Sequence, residues 1–394
     1  MKIGRLRSLF VYKKLFRDIL IFCLNKAGFR FGLINQSALG HLTFDTEVNF
    51  LETKRTERRR RDYWYLIGDT TNETISNFWK KEFKANRNLL RLKSYSAIDT
   101  SNQFRHLLLS RPIGAGDGDV LDRYPRSFWF SADQSVVAKR ILNEFPFNPE
   151  DRLVLFCLRD NSYYRDKRDL KNVAIHSHRN VDVQAYKPAI DFLISKGFSV
   201  VRMSRVAESP IEIENAKFVD LPFNEAFSVS SLGLRDRELL ELALFEKCQF
   251  VISSGLGTDS LATLFRKHVY YSDYYSVYNL YSTKLFPAFL PKGYLNAKTN
   301  KLFTADEVFR GEFLQCQTAD EFGAHGVELL NCTSQQICEF ISDVYDMESG
   351  ANSGEFSKLS QSHREILSKG MFNEKHIPQI SDHWANFSKS TLKH

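Results

Sequence analysis

Leu153-Val154-Leu155-Phe156-Cys157-Leu158-Arg159-Asp160-Asn161-Ser162-Tyr163-Tyr164, followed as far as Phe198-Ser199-Val200-Val201-Arg202, is the stretch on which the fold is read. Six apolar residues in a row are the pattern of a strand covered on both faces of a parallel sheet, and the run breaks off at a guanidinium, a carboxylate, an amide and hydroxyls. In open α/β sheets that carboxyl edge of a strand is where ligands bind. A second polar cluster, His176 to Asp182, precedes Tyr186, Ala189, Ile190, Leu193 and Ile194, whose spacing is one face of a helix. That helix stops at Lys196-Gly197, and Phe198 to Val201 forms a second strand ending on Arg202. Arg159, Arg179 and Arg202 thus stand at the ligand-facing ends of three elements. The guanidinium fork and a helix amino terminus both suit phosphate, so a nucleotide diphosphate is the expected guest.

Working outward, Phe250-Val251-Ile252 is another buried strand. Ser253, Ser254, Gly255, Leu256, Gly257, Thr258, Asp259 and Ser260 lead from it into the helical pattern Leu261, Ala262, Leu264, Phe265. Strand, serine and glycine turn, then helix is a construction that brings backbone close to phosphate. Val219-Asp220-Leu221 and Val269-Tyr270-Tyr271 read as further strands, and Glu238 to Phe245 as a helix. Ser131/Gln134, Thr304/Glu307, Thr318/Glu321 and Thr333/Gln336 carry the spacing of a capping box, predicting four helix starts. In the amino-terminal part Phe31, Leu33 and Ile34 read as a strand, Gly40 as a turn, Asp45 as the start of a helix, Tyr63 to Ile67 as a strand, and Ile75, Phe78 and Trp79 as a helix face.

Phe145-Pro146-Phe147-Asn148-Pro149 is a stiff connection and marks the expected domain boundary. The expected organisation is a basic amphipathic segment (1–30), an amino-terminal α/β domain (31–147), a nucleotide-binding α/β domain (148–347) and a tail (348–394). Strands alternate with helices on both sides of the boundary, so the expected class is α/β with two layered domains.

The 394 residues are 43% hydrophobic and 26% charged, an ordinary globular composition, with a net charge of +7. The excess is concentrated: Lys2, Arg5, Arg7, Lys13, Lys14, Arg17, Lys26 and Arg30 face only Asp18 in the first thirty residues. Leu9 to Leu24 is too charged to span a bilayer, and its pattern fits an interfacial helix on anionic lipid or an ordinary first helix. The basic run Arg55 to Arg61 has no interleaved aromatics and matches no nucleic-acid reader, so no nucleic-acid partner is expected. Six cysteines without a CxxC pair suit a reducing cytoplasm. His176 and His178 lack a third ligand at zinc spacing, so no metal and no cofactor is expected.

Cys157-Leu158-Arg159-Asp160 with Tyr163, then His178-Arg179-Asn180, Asp182 and Tyr186, then Val201-Arg202-Met203, resembles a bacterial family of glycosyltransferases associated with surface-polysaccharide loci. Phe250 to Gly255 and Leu39-Gly40-His41-Leu42 resemble that family's other two signatures. The resemblance implies a GT-B-like fold, two Rossmann-like domains facing across a cleft, with the donor held mainly by the second. A looser similarity links Arg159 and the serine-glycine loop to inverting fucosyltransferases. Arg202-Met203-Ser204 and the second glycine, Gly257, depart from the family pattern.

The expected reaction is transfer of a sugar from a nucleotide-sugar donor to a saccharide or lipid-linked saccharide, in the cytoplasm, with the inner face of the cytoplasmic membrane as the other location open. Donor-site residues are Arg159, Asp160, Tyr163, His178, Arg179, Asn180, Asp182, Arg202, Ser253, Ser254, Gly255, Gly257 and Thr258. His41 and Asp45 are the candidates for activating the acceptor, with a backbone hydrogen bond in the Gly40 turn as the other role open to His41. The alternative reading is a non-catalytic nucleotide- or polysaccharide-binding protein on the membrane.

Overall fold

The computed structural model describes residues 19, 22–23, 26–55, 61–84, 115–148, 150–166, 169–276, 280–351 and 379–381. The chain divides into two compact units, Met1–Ile113 and Gly114–His394.

In the first unit, strands β1 (Phe29–Asn35) and β2 (Arg61–Ile67) run parallel. A π-type turn over His41–Asp45 passes directly into helix α1 (Thr46–Arg55), and α2 (Glu73–Phe83) follows β2. Gly32 is required by packing, since a Cβ there would lie 2.3 Å from the fully buried Trp64 ring. Asn72 caps α2 through the Ile75 amide, and the buried Trp79 donates its indole N–H to the Leu42 carbonyl at 2.8 Å. That bond fixes the turn that carries His41. Gly40 is helical here, at φ −57°, so the expected turn and later helix start give way to one continuous helical segment.

The second unit is built on seven strands whose pairings are all parallel: β3 (Arg152–Cys157), β4 (Phe198–Arg202), β5 (Phe218–Asp220), β6 (Phe250–Ser253), β7 (His268–Tyr274), β8 (Ala288–Pro291) and, last in the chain, Gln379–Ile380. Their order is Gln379–Ile380, β8, β7, β6, β3, β4, β5. From β3 the chain steps outward to β4 and β5, then returns to place β6 on the other side of β3. The direction of winding therefore reverses between β3 and β6. Right-handed crossovers running in opposite directions put helices on opposite faces of such a sheet. Helix α3 (Ala132–Asn143) packs on α6 (Leu234–Lys247), whereas α5 (Lys187–Ser195) packs on α8 (Ser334–Glu348). The unit also contains α4 (Leu170–His176) and the short α7 (Leu261–Leu264). Gly293–Asn296, Lys301–Leu302 and Val327–Leu330 form a small antiparallel sheet.

Both faces of the large sheet are dry. Val154, Leu155, Phe156, Val200, Val201, Val251 and Ile252 are all 0% exposed, and each such side chain contributes about 1.5–3 kcal/mol relative to exposure. All four capping boxes form, at Ser131, Thr304, Thr318 and Thr333.

The α/β class is as expected, and the division between units falls at Ile113/Gly114. Residues from Gly114 on belong to the second unit, because α3 and the segment before it are tied there by Arg126–Glu246 at 2.7 Å, Arg140–Asp236 at 2.8 Å and Phe128 against Phe265. Phe145 to Asn148 follow α3 within that unit. Most of the expected amino-terminal anchor and most of the tail beyond residue 351 lie outside the described residues.

Candidate functional site

The reversal point between β3 and β6 is the place where a parallel sheet opens a crevice at its carboxyl edge. Both loops of interest leave from it. Ser254 donates its backbone N–H to the Cys157 carbonyl at 3.0 Å, and Ser254 Oγ accepts the Arg159 backbone N–H at 2.8 Å. The loop after β3 and the loop after β6 are therefore stitched together.

Gly255 turns at φ +87°, and a Cβ on it would sit 2.6 Å from Tyr274 Cε2, so glycine is needed for both conformation and space. Its N–H donates to Ser253 Oγ at 3.0 Å, and Ser253 Oγ donates to Asp259 Oδ2 at 2.5 Å. Ser253 and Ser254 are buried, and these bonds shape the turn. Gly257 and Thr258 lie in the next turn, where the Gly257 carbonyl accepts Ser260 Oγ.

Two arginines converge over the turn. Arg159 is 8% exposed, its guanidinium 5.5 Å from the centre of the Tyr164 ring. Arg179 lies 4.7 Å from the Tyr275 ring and donates from Nη2 to the Gly255 carbonyl at 3.2 Å. Their Nε atoms are both shielded from water and unpartnered, and neither guanidinium forms an ion pair among the described residues. Burial and the proximity of Arg179 lower the Arg159 pKa from its ordinary value. Burying a charge without a partner is costly, and a pair of like charges compounds the cost. The arrangement is poised for an anion.

The neighbouring titratable groups have adapted to that positive field. Burial, then Arg179, depresses the His178 imidazole to about 4, so it is neutral at physiological pH. Its two ring nitrogens are shielded and unpartnered, with the ring against Tyr275 and Phe322. His176 stacks on Tyr164 and is likewise shifted down by burial and by Arg179. Asp259 is pushed up to about 7 by burial, a rise opposed by its Ser253 hydrogen bond and by the two arginines. Among the described residues no group of three or more His, Cys, Asp or Glu is disposed to hold a metal ion.

The remaining expected donor residues divide. The Asn180 carbonyl accepts from the buried Lys292 at 2.9 Å. Asp182 is exposed and caps the turn before α5 through the Gln184 amide at 3.0 Å, so it serves the fold. Arg202 does not enter the crevice: it is 0% exposed and bonds the Ser209 carbonyl at 2.7 Å, Asp220 at 3.3 Å and Asp160 at 3.4 Å. Asp160 also accepts the Glu208 amide, which makes it a hub for the loop after β4. Of Tyr163 only the backbone is described, in the turn Ser162–Asp166.

Tyr164, Tyr275, His176, Asp259 and Lys292 were not among the expected site residues. The paired tyrosines closing β7, at the same carboxyl edge, are the signal that could have found Tyr275.

In the first unit His41 and Asp45 are one helical turn apart, with Nδ1 and Oδ2 at 2.5 Å. The Asp45 hydrogen bond raises the His41 pKa, burial opposing it. His41 thus pairs with a carboxylate and not with backbone.

No protein family and no curated protein matches the chain in sequence. Among solved structures, a glycosyl transferase family 9 protein from Veillonella parvula DSM 2008 is similar at a TM-score of 0.40, with 10% identity over 67% of this chain and 86% of that one. The dodecameric iron-containing heptosyltransferase TibC, in complex with ADP-D-β-D-heptose, is similar at 0.38, with 13% identity over 82% of this chain and 76% of that one. At these values the likeness is partial, and the site rests on its own geometry.

Proposed function

We propose that this chain is a glycosyltransferase of GT-B type, which moves a sugar from a nucleotide-sugar donor to a hydroxyl of a saccharide or lipid-linked saccharide, as in bacterial surface-polysaccharide assembly. The observation that carries the reading is the pair of shielded guanidiniums, Arg159 and Arg179, set over the Ser253–Gly255 turn without an ion-pair partner among the described residues. A nucleoside diphosphate leaving group develops negative charge as its bond to the sugar breaks, and preorganised cations at that position stabilise the transition state. The charge comes from protein side chains, so the proposed reaction is metal-independent. The acceptor hydroxyl attacks the anomeric carbon and gives its proton to a general base, and the sugar–phosphate C–O bond breaks with its electron pair going to the diphosphate; His41 Nε2 is the candidate for that base. Asp45 holds the other face of the imidazole and favours the imidazolium that forms. Neutral His178, beside the arginines, is suited to donate one hydrogen bond to the donor.

The experiment is a thermal-shift series with UDP-, GDP-, ADP- and CMP-linked sugars. One base is expected to raise the melting temperature in the native chain and not in Arg159→Ala. Absence of a shift with every donor, at millimolar concentration, contradicts the reading.

A further inference from the structure

The placement of Arg179 traces to a residue 112 positions away from its neighbour Asn180. β7 and β8 lose register at Asp273: Ser272 pairs with Leu290 and Tyr274 with Pro291, leaving Asp273 as an extra residue with φ +54°. Such a bulge re-aims a side chain, and the left-handed conformation is tolerated by aspartate better than by most residues. The Asp273 carboxylate, 1% exposed, accepts the Cys332 N–H at 2.9 Å with one oxygen and lies 3.2 Å from Lys292 Nζ with the other. Lys292, the residue after β8, is 0% exposed; its ammonium also donates to Asn331 Oδ1 and, at 2.9 Å, to the Asn180 carbonyl.

We propose that Lys292 is a positioning residue for the anion site: clamped by Asp273 and Asn331, it grips the Asn180 carbonyl and so holds the turn that presents Arg179 beside Arg159. The inference rests on Arg179 being an anion ligand. A lysine that served the strands alone would be satisfied by Asp273, in the bulge of the adjacent β7, and by Asn331, the residue after the Val327–Leu330 strand of the small sheet. The bond to the Asn180 carbonyl instead reaches the residue that closes the Ser177–Arg179 turn, and the next residue, Val181, donates its N–H to the Arg159 carbonyl at 3.1 Å. The clamp therefore restrains two like-charged side chains that would otherwise move apart. Because Asp273 neutralises the ammonium, it does so without adding charge to the site.

The test uses inorganic pyrophosphate as probe, titrated calorimetrically into the native chain, Arg179→Ala, the pair Lys292→Met with Asp273→Asn, and the three substitutions together. The pair leaves no buried charge alone. It is expected to weaken pyrophosphate roughly tenfold or more, on the scale of one charge-assisted hydrogen bond, while Arg179→Ala adds little in that background. Native affinity in the pair alongside a loss in Arg179→Ala, or two losses that multiply independently, overturns the inference. Should the native chain fail to bind pyrophosphate, the reading of the site falls. The clamp is then judged by amide exchange, with 177–181 expected to exchange at least tenfold faster in the pair while 152–157 and 250–253 are unchanged. Equal protection of 177–181 overturns it. Should the pair not fold, Lys292→Arg keeps the charge and alters the donor geometry, and undiminished pyrophosphate affinity there is the contradicting result.

Discussion

Replacing Arg159 by methionine separates what the crevice does for binding from what it does for stability. Arg159 is nearly buried, its Nε has no partner, and burial together with the like-charged Arg179 lowers its pKa. Two unit charges repel by about 2 kcal/mol at roughly 8 Å in an effective dielectric near 20. Burial adds a further cost, and methionine has similar length and no charge. The fold should lose little, because the bond from the Arg159 backbone N–H to Ser254 Oγ survives the substitution. The melting temperature of Arg159→Met is accordingly expected to stay within about 2 °C of the native value or to rise. Binding should behave oppositely. One or two charge-assisted hydrogen bonds to a phosphate are worth about 2–4 kcal/mol, a loss of about 30-fold to 1,000-fold in the affinity for a nucleoside diphosphate. Calorimetric titration and a thermal melt on the same preparation give both numbers. A variant that melts several degrees lower yet binds the diphosphate with native affinity would show Arg159 to be a structural residue and refute the reasoning.

Asp259→Asn should flatten the pH dependence of stability. A carboxyl raised to about 7 in the folded chain binds more protons there than when unfolded, so it lowers stability as pH rises from about 4 through 7; urea melts at pH 5 and 8 should differ by less in the variant, by on the order of 2–4 kcal/mol. Gly255→Ala should cost about 1–3 kcal/mol, because it puts a Cβ into the Tyr274 ring at a left-handed φ, and should weaken diphosphate binding with it; a fully stable variant in denaturant melts contradicts this. Asp45→Asn should lower the His41 pKa and move the acid limb of the pH–rate profile to lower pH, with a fall in rate of tenfold or more. The pair's contribution to stability is present below pH 6.5 and lost as pH rises through the raised pKa, and at this exposure it is under about 1 kcal/mol; an unmoved acid limb removes His41 as base.

What could be read in the residues was what is encoded locally. The apolar run of β3, the four capping boxes and the glycine turn after β6 depend on neighbours within a few positions, and each is present. Arg202 was misplaced because its role is set by Asp160 and Asp220, carboxylates contributed by other strand ends, which draw it inside. From the chain alone it looked like Arg159. Proline stiffens a connection wherever it lies, and the packing of α3 on α6 groups the residues before Phe145 with the second unit. Lys292 carries no local sign, since its partners lie at Asn180, Asp273 and Asn331 and meet only once the sheet is assembled.

The most direct test of the central claim is a crystal structure of the chain soaked with the nucleoside diphosphate that gives the largest thermal shift. Phosphate oxygens within hydrogen-bonding distance of both Arg159 and Arg179, over the Ser253–Gly255 turn, are the predicted result. A diphosphate bound elsewhere, with both guanidiniums left as they are, would contradict the account.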